Sequence, residues 1–164
     1  LLVILVGLGG CGYGFTPSGA HLDPGIKTIF VEPVVNRTTE VHLGEFVRTD
    51  LGELFGRSPR FHLTATRAQA GAFLTAVIEN LSIHDLTRGP DGRSMEERIT
   101  ITASFALVRP QDGKTIWDVR NLSSQGAYIT GQGIAAAQAN RQEALKKISR
   151  DLTEKAYRML MSGF

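Results

Sequence analysis

Two rhythms of apolar and polar positions divide the chain after residue 25. Ile26, Thr28 and Phe30 alternate with Lys27, Ile29 and Val31, a short and mostly apolar strand that Pro33 ends. Thr38 or Thr39 then offers a cap for a helix with Glu40 in its first turn, and Leu43, Phe46, Val47, Leu51, Leu54 and Phe55 recur at helical spacing until Gly56 and Pro59. A second strand runs over Ala72–Leu86, long enough to bend or carry a bulge, with alternation that slips around Ala76–Ile78. Gly89-Pro90-Asp91-Gly92 is a turn signal. The third strand is the clearest: Ile99, Ile101, Ala103, Phe105 and Leu107 take one face, while Arg98, Thr100, Thr102 and Ser104 take the other. Asp112-Gly113 favours a hairpin into Thr115–Ser123, with Trp117 and Val119 on the buried side. The stretch from Ser124 to Gly133 is too glycine-rich to predict regular structure. A long helix follows from about Ala135 to Leu160, its apolar stripe being Leu145, Ile148, Leu152, Ala156 and Met159 and its polar side including Arg141, Lys147 and Arg150.

Helices with one apolar stripe and a sheet with one apolar face bury each other. The expected fold is therefore α+β, a two-layer sandwich with two helices packed on one face of a four-stranded mixed sheet in the order β-α-β-β-β-α. No repeat or low-complexity tract divides it, and residues 26–164 are expected to form a single domain.

The start of the chain follows neither rhythm. Leu1–Leu8 is apolar, Gly9 and Gly10 are small, and Cys11 is the only cysteine. The run falls short of the roughly 20 residues a membrane-spanning helix needs. It reads as the core and cleavage region of an export signal, residues 1–10 being the remnant. Leu8-Gly9-Gly10-Cys11 looks like the lipobox of bacterial lipoproteins, which makes Cys11 the site of lipidation and residues 11–25, rich in Gly and Pro, a tether. The alternative is a buried strand with Cys11 as a small buried hydrophobe. With no further cysteine, the folded part is held by its core alone, without a disulfide.

Eighteen Lys and Arg against 16 Asp and Glu leave a formal charge of +2, spread along the chain, too little to argue for nucleic-acid binding. His21, His42, His62 and His84 have no ligand-like neighbours at metal-binding spacing, the serines lack a nucleophile-elbow context, and Glu96-Glu97 point to opposite faces of a strand. No catalytic role, metal or cofactor is expected. Asn36-Arg37-Thr38 reads as a turn and cap, with Arg37 paired to Glu32 or Glu40, the alternative for Arg37 being a partner or phosphate contact.

The layout resembles the LPS-assembly lipoprotein family, LptE, formerly called rare lipoprotein B. The resemblance rests on Cys11-Gly12-Tyr13 with Phe15, on Ile29-Phe30-Val31-Glu32-Pro33 followed by Asn36-Arg37-Thr38, on Ala70–Leu74, on Asp112-Gly113-Lys114-Thr115-Ile116-Trp117, and on Tyr128 ahead of the last helix. These pieces follow in order through nearly the whole chain. Where the family often has Ala-Asp at the start of the second strand, Gly71 follows Ala70 here. The resemblance implies a non-enzymatic lipoprotein fastened by lipid to the periplasmic side of the outer membrane of Gram-negative bacteria. There it would plug and assist assembly of the LptD barrel and support lipopolysaccharide delivery to the outer leaflet.

Such a plug needs polar surfaces for a polar lumen. The open face of the third strand and the loops Gly89–Met95 and Gln125–Gly133 are expected to supply them. Arg93, Arg98, Arg120, Asn121 and Tyr128 are the candidate partner contacts, and Arg93, Arg98, Lys114 and Arg120 the candidate lipopolysaccharide contacts. The competing reading is a free-standing periplasmic lipoprotein module that binds a ligand.

Overall fold

The computed structural model describes residues 22–131 and 133–163; the expected signal remnant, Cys11 and most of the tether lie outside them. Strand β1 (Thr28–Val31) leads through β2 (Val35–Asn36) to helix α1 (Leu43–Gly56), then β3 (His62–Leu63), β4 (Ala72–Arg88), β5 (Ser94–Val108), β6 (Thr115–Ile129) and helix α2 (Ile134–Ser162). The sheet has six strands, not four, in the order β3-β1-β4-β5-β6, with β2 pairing on β4. The two additions, β2 and β3, are two residues each, too short to leave an alternation in the sequence. β1 runs parallel to β3 and β4 because α1 carries the chain across, and β4, β5 and β6 form an antiparallel meander.

The predicted dry face of β5 is found as written: Ile99, Ile101, Ala103 and Leu107 are 0 % exposed and Phe105 2 %. Both helices cover that face, burying Leu43, Val47, Leu51 and Phe55 from α1 and Leu145, Ile148, Leu152, Ala156 and Leu160 from α2. No described element covers the other face.

Two bulges keep the inward positions in phase. On β4 the pairing jumps from Ile78–Ala103 to Asn80–Thr102, leaving Glu79 extra just past the Ala76–Ile78 stretch, through which the alternation holds. On β6 it jumps from Val119–Phe105 to Leu122–Ala103, and Asn121 sits in the gap with φ +53°. Asparagine tolerates that left-handed conformation better than most residues. Inward positions therefore change from Trp117 and Val119 to Leu122, Ser124, Gly126 and Tyr128.

The expectation of an irregular stretch after Ser123 is corrected: β6 continues to Ile129. Glycine here is a packing device, since a Cβ on Gly126 would stand 2.9 Å from Ile148 Cγ1, closer than atoms can pack. The bare backbone lets α2 settle onto the strand.

The start of α1 is also corrected. Asn36 closes the expected turn, its Oδ1 accepting from Thr38 N at 3.0 Å, while its Nδ2 donates to Glu40 O at 2.7 Å. The Thr38 hydroxyl is spent inside this turn, donating to Asn36 Oδ1 at 2.8 Å. The helix begins only at Leu43, with no side-chain cap at His42, and Glu40 precedes it. Arg37 pairs with neither expected acid. The β4 bulge presents Glu79 to it at 2.6 Å, while Glu32 takes Arg67 at 2.8 Å and Glu40 takes Arg141 at 2.7 Å.

Helix lengths then decide where the sandwich is complete. α1 has 14 residues and α2 has 29, about 21 Å and 44 Å at 1.5 Å per residue. Contacts along the pair run from Lys146 over Phe46 to Tyr157 against Phe55. The first turns of α2 project past the start of α1.

Candidate functional site

Where α2 outruns α1, the sheet and the long helix diverge around an open cleft of about 860 Å³. The β4–β5 turn forms one wall, the exit of β6 a second, and the first turns of α2, through Ile134, Ala137, Gln138 and Arg141, the third. The turn is built as its sequence demands: Gly92 adopts φ +76° and its N–H donates to Gly89 O at 2.9 Å. β6 is fastened to β5 at its end by Thr130, whose N–H donates to Met95 O at 3.0 Å and whose hydroxyl donates to Ser94 O at 2.7 Å.

Tyr128, 8 % exposed, lies on the floor and donates its hydroxyl to Glu97 Oε2. Burial raises the Tyr128 pKa to about 12, with the Glu97 hydrogen bond and negative charge adding to the effect. Arg141 stands beside them, held by Glu40 from the segment before α1. At the tip, Arg93 pairs with Asp91 at 3.6 Å. Each guanidinium of the cleft thus faces a carboxylate. The rim is apolar, with Met95 45 % and Ile134 83 % exposed.

The second candidate surface is the uncovered face of the sheet. Register places His84, Arg98 and Ala127 in one row, Ser82, Thr100 and Gln125 in the next, and Asn80, Thr102 and Ser123 in a third. Two successive rows are therefore hydroxyl or amide side chains without charge. Toward the β5–β6 turn the same face carries Val77 with Ser104, then Thr75, Ala106 and Asp118, and becomes apolar at Phe73 and Val108. Arg67 lies over the Phe73 ring at 4.3 Å.

The residues singled out from sequence scatter over these surfaces. Arg93 is at the cleft tip, and Arg98 lies exposed on the open face with no ion pair among the described residues. Arg120, on the same face lower down, pairs with Asp118 at 3.0 Å. Asn121 is the bulge residue, and its N–H donates to Ser104 Oγ at 3.4 Å. Tyr128 faces inward, toward the helices. Lys114 belongs to the β5–β6 turn, where its N–H donates to Asp112 Oδ1 at 3.0 Å. That turn and the β4–β5 turn close opposite ends of the 15-residue strand β5, about 50 Å at 3.3 Å per residue. Of the four cations proposed for lipopolysaccharide, Arg93 and Lys114 therefore lie toward opposite ends of the sheet, with Arg98 and Arg120 on the open face between them.

Sequence reasoning missed Glu97, Arg141, Glu40 and Met95. Glu97 was weighed only as half of an acid pair split across a strand, yet it shares odd parity with Ile99 and Ile101 and so points inward. Arg141 and Glu40 carry no such signal, because their pairing depends on how α2 crosses the segment before α1. Among the described residues no three His, Cys, Asp or Glu side chains converge to hold a metal ion, and no helix is long and apolar enough to cross a membrane.

Comparison with known proteins adds the family. The family model described as LptE, lipopolysaccharide-assembly, matches residues 26–160. No curated protein matches the chain in sequence. Among solved structures, lipoprotein B of Nitrosomonas europaea shares 15% identity at a TM-score of 0.57, over 93% of this chain and 92% of that one. A minor lipoprotein of Acinetobacter baumannii shares 11% at a TM-score of 0.56, over 84% and 92%. The rare lipoprotein B of Shewanella oneidensis shares 12% at 0.51, over 82% and 95%. At these identities the structures show a common fold.

Proposed function

Because the chain belongs to the LptE lipopolysaccharide-assembly family, we propose that it is a lipoprotein of the outer membrane, lipidated at Cys11 and exposed to the periplasm. In this reading it plugs and assists assembly of the LptD barrel and supports lipopolysaccharide delivery to the outer leaflet. The observation that carries the plug reading is the uncovered sheet face, whose middle rows, Ser82-Thr100-Gln125 and Asn80-Thr102-Ser123, are polar and uncharged. A wide barrel has a polar lumen. Side chains of this kind exchange water for hydrogen bonds to such a wall without stripping an ion of its solvent, a step that is costly when the ion is left unpaired. Arg98 and Arg120 on that face, with Arg93, Asn121 and Tyr128, are the proposed partner contacts.

Mild detergent extraction followed by affinity purification of the chain tests the partner: LptD should co-purify, and its absence from a fully lipidated preparation refutes the plug. Mass spectrometry of the native protein tests the anchor, which an unmodified Cys11 thiol behind an intact leader would refute. For lipopolysaccharide contact the test falls on Arg98 and Arg120, the two candidates that share the open face. Arg98→Glu with Arg120→Glu should weaken lipopolysaccharide binding in a direct titration, and unchanged affinity excludes Arg98 and Arg120 as contacts.

A second reading has one observation in its favour. The cleft, at about 860 Å³, falls in the range of roughly 300–1,000 Å³ found for small-ligand sites. A free-standing periplasmic binding module would use it, and would purify from the membrane without a barrel.

A further inference from the structure

β6 is an edge strand of 15 residues, and its outer edge is dressed in an unusual way. Residues of an antiparallel strand alternate between those that exchange backbone bonds with the neighbour and those that direct N–H and C=O away from it. Two outward carbonyls are taken by side chains of α2: Lys155 Nζ donates to Ser123 O at 3.1 Å, and Asn140 Nδ2 donates to Ile129 O at 3.0 Å. The phase they set directs the backbone N–H and C=O of Gln125 and Ala127 outward as well, with no partner among the described residues. Beside them a groove of about 350 Å³ runs between the strand edge and α2, lined by Ala127, Ile129, Asn140, Glu143, Ala144 and Lys147.

The two ends of this edge segment thus hold nitrogen donors where a further strand would place its own N–H groups, while the middle lies open. Side-chain donors are readily exchanged for backbone ones, because the carbonyl keeps a hydrogen bond throughout. The bulge at Asn121 interrupts the register between Val119 and Leu122, so the unbroken stretch of edge beyond it runs from Leu122 to Ile129.

We infer that the edge of β6 from Ser123 to Ile129 receives an extended segment of the partner protein as an added strand, with Lys155 and Asn140 giving up their carbonyls to it. This rests on the reading that LptD is the partner. A closed barrel wall has no free edge to offer, so the added strand is a loop or arm of the partner outside its wall. Recognition runs through the main chain, as in other strand additions to exposed edges.

Ala127→Pro tests this, because proline deletes an outward N–H and leaves the bonds to β5 intact, the edge position that tolerates it. The expected result is an at least about tenfold loss of LptD capture with the thermal midpoint nearly unchanged, whereas Ala127→Thr, which keeps the N–H, binds as wild type. Hydrogen exchange of the unmutated chain gives a readout that does not depend on the variant folding: the Gln125 and Ala127 amides should exchange fast in the free protein and at least about tenfold slower in the complex. Full capture by folded Ala127→Pro, or unchanged exchange at those amides in the complex, overturns the inference while leaving the plug reading in place. Failure of the wild-type chain to capture LptD overturns both. A dimer of the isolated chain that protects the same amides would assign the edge to a second copy and refute the partner strand.

Discussion

The two ends of the sandwich are built from the same long strands and the same helix α2, yet one is closed and the other open. At the closed end α1 lies beside α2. Phe55 packs edge-on against Tyr157 with ring centres 5.1 Å apart and against Phe61 at 5.8 Å, and the Tyr157 hydroxyl donates to Ser58 Oγ at 2.9 Å. The incoming chain is tied down there too, since Arg60 donates to Leu22 O at 3.0 Å. At the open end α1 is missing, and Met95 and Ile134 stay in water. Their exposure follows from helix length. A second helix as long as α2 would bury them and leave no cleft, so the short α1 is what separates a stable half from a half free to meet another molecule.

Core truncation should break this contrast most sharply. Phe55→Ala at the closed end is expected to cost about 3–5 kcal/mol in chemical denaturation, whereas Ile134→Ala at the open rim should stay within roughly 0.5 kcal/mol of wild type. Equal losses at the two sites would mean that the cleft is part of the core. Next in size is Gly126→Ala, on the border between the halves. The new methyl meets buried Ile148, and overpacking of this kind costs about 1–3 kcal/mol. Ile148→Ala should relieve part of that cost, so the double variant loses less than the sum of the singles.

Tyr128→Phe removes one hydrogen bond from the cleft floor and is expected to cost about 0.5–1.5 kcal/mol. The tyrosinate absorbance of wild type should show one residue ionising near pH 12. Because this native pKa lies above the ordinary value of 10.0, the stabilisation is complete below pH 10 and is lost as pH rises toward 12. Glu97→Gln should bring the titration down by removing the neighbouring charge.

The smallest effect should run the other way. Asp50 is buried between the helices, where its Oδ2 accepts from Ser149 Oγ at 2.7 Å and Arg150 lies 3.9 Å away. Desolvation still raises its pKa above 3.8, against the Ser149 hydrogen bond and the Arg150 charge. A raised native value favours the protonated form, so its contribution to stability is complete at acid pH and is lost as pH rises through the native pKa. Asp50→Asn should therefore equal or exceed wild type in urea denaturation at pH 7, an advantage that shrinks as the pH approaches 4. An Asn variant less stable at pH 7 would show that the Arg150 ion pair outweighs burial.

Much of this fold was legible because burial imposes a period. The β5 alternation and the two helix stripes each repeat often enough to fix which side faces in, whereas the β4 bulge falls at Glu79, past the Ala76–Ile78 stretch where a slip was expected. Glycines misled where they served packing: Gly126 carries the same letter as a turn residue, and only the nearness of Ile148 tells the two uses apart. The candidate sites were legible by half. Arg98 and Arg120 follow from the polar phase of their strands, but Arg93 and Lys114 were grouped as candidate lipopolysaccharide contacts although strand length carries them to opposite ends.

By itself the sequence determined the layers, the dry face of the sheet and the family pattern, because apolar side chains at fixed period have only one way to leave water together. Tertiary structure alone decided the rest: that α1 stops short and opens a cleft, that Glu40 reaches Arg141, and that Lys155 and Asn140 dress the edge of β6. Those facts depend on where two elements far apart in the chain cross, and no local pattern encodes a crossing point.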